Sequence, residues 1–308
     1  MTRAEGAPAV SVVITCHNHG RFLRDAVESV QRQTFKDFEI IVIDDGSVDD
    51  TPTIAAELQG IRCVRQTNQG LSAARNRGWQ ASRGRYVVFL DADDRLLPDA
   101  LQSGVAAALA SPEAAFVSGH YVVIDADGVQ GMSNHRPCVT SDHYGALLRS
   151  NYIGMHATVV YRRDTLSRIG GFDPSLRACE DYDVFLRIAR AATVACHPDV
   201  VAEYRWHGAN MSRNNSLMLS SALRVLRRQR PHVRGHAAYE VAYREGVAFW
   251  QGFFGEQLLD DVAARVYDGA SWGPTIRMLT VLLRYYPRGV GRRVARVARR
   301  LARTGRLQ

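Results

Sequence analysis

The chain has 308 residues, 46% hydrophobic and 23% charged, which suits one large α/β domain with an appendage and excludes a low-complexity or fibrous chain. Its net charge of +8 is misplaced as a clue to nucleic acid, because ten arginines and no acidic residue follow Asp268, so the body before them is mildly acidic. The longest apolar runs fall short of the roughly 18 residues that a bilayer crossing needs. The start, residues 1–9, lacks the apolar core of a signal peptide, so a cytoplasmic protein is expected.

Taken in chain order, residues 10–15 (Val-Ser-Val-Val-Ile-Thr) read as a buried strand. Residues 21–33 form an amphipathic helix with Phe22, Ala26, Val27 and Val30 on one face. Residues 38–43 are a second strand, ended by Asp44-Asp45-Gly46-Ser47. Ser47 or Asp49 can cap the next helix, with Pro52 in its first turn. A short strand over 62–65 and a helix over 71–82 follow, broken at Gly84. Residues 86–90 form a strand stopped by Asp91-Ala92-Asp93-Asp94, and Pro98 opens a helix to about 110. Beyond it lie strands over 116–124 and 157–161, a turn at Asp127-Gly128, and a short helix over 163–169 stopped by Gly170-Gly171. A helix over 182–191 and a last strand within 193–205 complete this part. After Asn214 only helices are expected, with breaks near Pro231, Gly273-Pro274 and Pro287.

Repeated strand–helix–strand units predict parallel strands with right-handed crossovers. Ligands then bind at the carboxyl ends of the strands. The polar clusters 15–18, 44–47 and 91–94 fall at three such ends and should converge on one edge.

Each cluster has a bland and a chemical reading. Three carboxylates within 91–94 repel one another, and a divalent cation relieves that cost; an acidic capping loop is the alternative. Asp45 can accept from a pyrimidine N3–H or make an Asx turn around Gly46. His17 can lie against a base or be a plain surface histidine. Arg75 can reach a phosphate or base edge, or be a solvated helix arginine. Glu180 and Asp181 suit a helix start electrostatically, but a carboxylate there can also be a general base. His207, after Arg205-Trp206, can ligate a metal or bond within its loop. The five cysteines are scattered with no C-x-x-C pair, and predict buried free thiols rather than a disulfide or a zinc site.

The order of these segments is more specific than any one of them. VSVVITCHNHGRFL, QTFKDFEIIVIDDGSVDDT, NQGLSAARNRG, GRYVVFLDADD, IGGFDPSLRACEDYDVFLRIA and YRWHGANMS, spanning about 9–213, resemble the family 2 glycosyltransferases. The resemblance implies a GT-A fold: Rossmann-like, with a mostly parallel central sheet, flanking helices and here a C-terminal helical extension. It implies a nucleotide-sugar half over 9–125, an acceptor and catalytic-base half over 126–213, and a helical region over 214–308.

By the same resemblance Thr15, His17, Asn18, Asp45, Arg75, Asp91, Ala92, Asp93 and Glu180 line the donor nucleotide. Asp93, with Asp94 and His207, holds Mn²⁺ or Mg²⁺, and Asp181 is the catalytic base. Histidine at 17 departs from the aromatic residue that the family often has there. The implied activity is inverting transfer of one sugar from a nucleotide-diphosphate sugar, UDP foremost, to an acceptor hydroxyl in glycan or glycolipid assembly. A non-catalytic sugar-nucleotide binder or membrane adaptor is the alternative of another class. A sugar nucleotidyltransferase lacks support, since no Gly-rich basic loop follows the first strand. No G-x-G-x-x-G supports an oxidoreductase. Processive synthases carry Q-x-x-R-W, and Ala202 stands at the glutamine place. Over 276–306 a basic helix with a thin apolar stripe can lie on an anionic membrane, where a lipid-linked acceptor would be found. Nucleic acid is not expected, because no aromatic residues interleave the tail's arginines.

Overall fold

The computed structural model describes residues 6–133 and 137–304. They fall into two compact units, one from residues up to Leu147 with Asn151–Gly208, the other from Leu148–Ser150 with the chain from Ala209 on.

The first unit is built on a sheet of nine strands. Its first half comprises β1 (Val10–Cys16), β2 (Phe38–Asp45), β3 (Ile61–Gln66) and β4 (Tyr86–Asp91), all parallel, in the order β3-β2-β1-β4. Helices α1 (Gly20–Gln31), α2 (Thr51–Glu57) and α3 (Leu71–Ala81) make the connections. Both faces of β1 are covered, so its residues are buried without alternation, Ser11 and Thr15 among them. Val12 and Ile14 join the core that holds Leu23, Ala26, Val27 and Val30 of α1. Val13 lies on the opposite face, under α3. Gly78 lets that helix approach, since a Cβ there would run into Val13. Each fully buried Val, Leu or Ile contributes about 1.5–3 kcal/mol, so this stack dominates the unit's stability.

Register brings the chemistry together. β1 pairs with β2 and β4 so that Thr15 stands beside Asp91 and Cys16 beside Asp44. The three polar clusters therefore do end on one edge.

Beyond β4 the sheet turns mixed, which strand–helix alternation alone does not foretell. Short β5 (Arg95–Leu96) and α4 (Ala100–Ala110) are followed by β6 (Phe116–Ile124), β7 (Gln130–Ser133), α5 (His143–Arg149), β8 (Val159–Arg162), α6 (Arg163–Ile169), α7 (Glu180–Ala191) and β9 (Ala195–Arg205). β8 runs antiparallel between β4 and β6, while β6 and β9 are parallel. β5 and β7 are edge pieces of two and four residues, antiparallel to β9 and β6.

The second unit holds α8 (Asn215–Val233), α9 (Ala237–Tyr267), α10 (Trp272–Tyr285) and α11 (Pro287–Thr304). Leu219, Leu223, Phe254, Leu258, Leu282 and Tyr286 form its core. Pro231 does not break α8 where it stands. It sits in the last turn, and the helix ends at Val233. Pro287 opens α11, where its missing N–H costs nothing.

The cysteine expectation needs correction. Cys138 and Cys196 are joined as a disulfide, with Cα atoms 5.7 Å apart. Of the other three, Cys16 is buried, Cys179 half-buried and Cys63 exposed. Residues 58 positions apart are brought together by the β6–β9 pairing and the loop beside it, which spacing rules do not register.

Candidate active site

The carboxyl ends of β1, β2 and β4 carry a continuous polar edge. At β1, Thr15 Oγ1 donates to Asp91 Oδ1 at 2.9 Å. Asn18 takes φ +57°, a conformation that asparagine tolerates better than most residues. Its N–H bonds Ser47 Oγ at 2.9 Å and its Oδ1 accepts from Val48 N at 2.8 Å, tying the two loops. His17 is exposed on this edge, with Nδ1 at 2.8 Å from Asp45 O and Nε2 at 3.0 Å from Asn68 Nδ2. Its ring is thus held in place from below.

Asp45 is buried, and its carboxylate accepts from Gln66 Nε2 at 2.8 Å, Gln69 N at 2.9 Å and Gly70 N at 2.8 Å. It shapes the loop entering α3. Asp44, not Asp45, makes the Asx turn, accepting Ser47 N at 2.8 Å. Gly46, at φ +73°, is required because a Cβ would press on the Asn68 backbone.

Arg75 of α3 does not reach solvent. It is 2% exposed, with Nη2 at 2.9 and 3.0 Å from the two oxygens of Asp91 and Nη1 at 2.5 Å from Glu180 Oε1. Burial works against its charge, but Asp91 and Glu180 outweigh that and hold it firmly protonated. The arginine is a clamp between the end of β4 and the start of α7.

Asp181 follows Glu180 at that helix start. Its carboxyl is pushed up to about 7, by burial first and by the Glu180 charge second, with Arg75 opposing. Cys179, which precedes the pair, is held at φ +59°, a strained value for a non-glycine residue. The loop before it is anchored by Arg187, which donates to Ile169 O and Gly171 O at 2.7 Å and to Asp183 Oδ2 at 2.7 Å. Asn76 of α3 exchanges two 2.8 Å bonds with the Phe172 backbone.

After β4, Ala92 N donates to Thr15 O at 3.0 Å, so the Asp91–Asp94 turn packs on β1. Asp93 Oδ2 lies 3.0 Å from His207 Nε2 and 3.8 Å from His19 Nδ1. The ligand atoms of His19, Asp93 and His207 all lie within 4.8 Å of one another. One carboxylate oxygen and two imidazole nitrogens at that spacing suit Mn²⁺, which accepts nitrogen ligands more readily than Mg²⁺ does.

Asp94, expected beside Asp93, does not join this group. It is 3% exposed, and its Oδ1 accepts Arg205 N at 2.8 Å. Burial, then the charges of Asp93 and Asp91, raise its carboxyl well above the usual range. Arg205 itself is buried, donating to Asp93 O at 2.8 Å, Ala126 O at 3.0 Å and Asp25 Oδ2 at 3.1 Å, with its guanidinium 4.9 Å from the Phe22 ring centre. It fixes the turn from behind.

His19 and the clamp role of Arg75 escaped sequence reasoning. The H-x-H pattern at 17–19 was the only local sign of His19. No local sign links Arg75 to Glu180, 105 positions away.

Known proteins resemble this chain in both sequence and fold. Its residues 11–170 match Glycosyl transferase family 2. An uncharacterized glycosyltransferase of Nostoc sp. is 31% identical over 212 residues, 65% of this chain and 66% of that protein. The O-antigen biosynthesis protein RfbC of Myxococcus xanthus is 30% identical over 234 residues, 73% of this chain and 18% of that one. The chain thus spans just under two thirds of the first relative and under a fifth of the second. Among solved structures, S. aureus TarS 1–349 in complex with UDP-GlcNAc superposes with a TM-score of 0.63 at 17% identity, over 79% of this chain and 73% of that one. The mannosyltransferase PcManGT of Pyrobaculum calidifontis, in complex with GDP-Man and Mn²⁺, gives 0.60 at 19% identity, over 92% and 82%. At such identity the superpositions speak for the GT-A fold, and the sequence match over more than half of the chain speaks for descent: the chain belongs to glycosyl transferase family 2.

Proposed function

We propose that this chain transfers one sugar from a nucleotide-diphosphate sugar, with UDP as the favoured nucleotide, to an acceptor hydroxyl with inversion at the anomeric carbon. The observation that carries the reading is the pairing of Asp181, raised to about 7, with an arginine-clamped carboxylate edge at the ends of β1, β2 and β4. A base poised near neutrality accepts a hydroxyl proton without being permanently protonated or inertly acidic. The relatives' names and the nucleotide-sugar complexes of the structural neighbours support the same reaction class.

In this reading residues 9–125 receive the donor and 126–213 the acceptor. His17 faces the base, and Asn18, Thr15, Asp45 and Ala92 shape the pocket around the nucleoside. Asp91 receives the ribose, while Arg75 and Glu180 keep Asp91 and Asp181 in register. Asp93, His207 and His19 would hold the divalent cation, Mn²⁺ before Mg²⁺. That ion, when bound, would neutralise charge developing on the nucleoside-diphosphate leaving group. Asp181 takes the acceptor proton as the hydroxyl oxygen attacks from the face opposite the leaving group.

The acceptor is a sugar or lipid-linked hydroxyl, met at a membrane in cell-surface glycan assembly. Among the described residues no helix is long and apolar enough to cross a bilayer. Support for a surface contact comes from α11, where Val294 and Val297 are 62% and 50% exposed among arginines. The test of the reaction is a pair of variants. Asp181→Asn should abolish transfer yet bind UDP-sugar as the parent does in calorimetry. Asp93→Ala should lose the Mn²⁺-dependent part of UDP affinity. Retained turnover in the first variant would overturn the base assignment.

A further inference from the structure

Away from the donor edge, three ligands of a different character meet. His120 lies within β6, Cys196 near the start of β9, and Cys138 in the segment after β7. His120 Nε2 is 3.7 Å from Cys138 Sγ and 4.0 Å from Cys196 Sγ, and the three ligand atoms fall within 4.8 Å of one another. With Zn–N near 2.0 Å and Zn–S near 2.3 Å, a tetrahedral site has an N···S edge of about 3.5 Å, close to both separations. We infer that, once the Cys138–Cys196 bond is reduced, His120, Cys138 and Cys196 form a binding site for a soft divalent cation of the zinc class, leaving its fourth position to water or an outside ligand.

The sheet builds this site deliberately. Ser118 and Cys196 are register partners, and the two-residue period of β6 puts His120 on the same face as Ser118. His120 is 8% exposed, so its imidazole is largely stripped of water. Ser118 is 1% exposed, and its Oγ has no hydrogen-bond partner among the described residues. Between Cys196 and Val200, β9 holds three residues opposite the single Gly119 of β6. Pro198 sits in that irregularity, where its missing N–H breaks no ladder bond. His197, although next to Cys196 in the chain, lies on the other face: a Cβ on Gly119 would stand 2.8 Å from its Cε1. The ligand set is therefore His120 and the two cysteines, not the adjacent histidine.

The two forms interconvert with balanced chemistry. A dithiol reductant delivers two electrons and two protons to the disulfide, leaving two thiols and its own disulfide. Cation binding then expels the two thiol protons, since thiolates are the ligands. Either form ties the segment around Cys138 to β9, but only the reduced one binds metal. The site is independent of the sugar-transfer reading, because thiolate ligation differs in kind from the Asp93 group.

Cobalt(II) is the probe, added to the full-length protein after reduction and anaerobic removal of the reductant. One equivalent should produce thiolate-to-cobalt charge-transfer absorption in the near ultraviolet, bleached by added Zn²⁺, and the oxidised protein should produce none. Cys138→Ser or Cys196→Ser should abolish the band, His120→Ala should weaken binding at least tenfold, and Asp93→Ala should leave the band intact. A reduced parent protein without the band, which needs no variant to observe, overturns the proposal. So does a band that survives Cys138→Ser. Cobalt bound without charge transfer would report only the Asp93 group and equally overturn it.

Discussion

A single guanidinium decides much of the chemistry at residue scale. Arg75 binds Asp91 and Glu180 at once, and the two bonds set where the charges stand around Asp181. The raised carboxyl of Asp181 has a cost. Its folded value of about 7 exceeds the ordinary 3.8, so the folded state holds the proton more tightly. Stability is therefore whole below the ordinary value and is lost as pH climbs towards about 7. Asp181→Asn removes that loss. Thermal melts above the raised value should show the variant more stable than the parent, by at most about 4 kcal/mol, and the gain should vanish in acid. A variant less stable at every pH would contradict the assigned burial cost. His19 carries a second expectation: His19→Ala should lower Mn²⁺ affinity about tenfold in calorimetry with UDP present and barely change Mg²⁺ affinity, since imidazole favours the former. Equal losses for both ions would remove His19 from the ligand set. The strand-end carboxylates were legible because β2 and β4 run into Asp-rich turns, at 44–45 and 91–94. Their partners were not, because an arginine on α3 gives no sign of a glutamate more than a hundred residues on.

At the scale of elements, the parallel half was readable, and in the mixed half the longer strands and helices were readable but their pairing and the short edge strands were not. The stretches 12–14, 40–43 and 87–90 are apolar on both faces and run into polar turns, so β1, β2 and β4 announce themselves. β5 and β7 are two and four residues long, and their pairing is set by β9 and β6 rather than by their own composition. The insertion of antiparallel β8 between β4 and β6 depends on the path of the chain, which periodicity does not encode. Close approach of α3 to β1 is one packing decision that a substitution can test. Gly78→Ala would gain about 1 kcal/mol in helix propensity but force its methyl group onto Val13. A net loss of about 1–2 kcal/mol is expected in urea unfolding. A stabilised variant would show that α3 stands further off.

For the whole molecule, the separation of charge matters more than its sum. The helical unit ends in α11, whose arginines partly serve the unit itself: Arg293 pairs with Asp260 at 2.9 Å and Arg292 with Glu256 at 3.4 Å. Val290 packs onto that unit's core, whereas Val294 and Val297 are exposed. The first turn of the helix thus packs on the unit, while Val294, Arg296, Val297 and Arg299 are exposed. Shortening the chain at Gly289 should cut binding to anionic liposomes by tenfold or more, as several arginines at about 1 kcal/mol each imply, while leaving donor affinity unchanged. Undiminished cosedimentation would place the contact elsewhere.

The Asp93 turn is held from behind by Arg205, whose partners Asp25, Asp93 and Asp94 precede it by up to 180 positions. His207, two positions on, stands 3.0 Å from the Asp93 carboxylate. The consequence is one of timing. A nascent chain can lay down β1 to β4 early, from contacts that are short in sequence, yet the Asp93 turn has no backing until β9 has emerged and threaded alongside β6 and β5. Under the proposed reading, Mn²⁺-dependent donor binding should therefore be acquired in a last, long-range step, absent from a chain that stops before β9 and present in one that stops at Gly289.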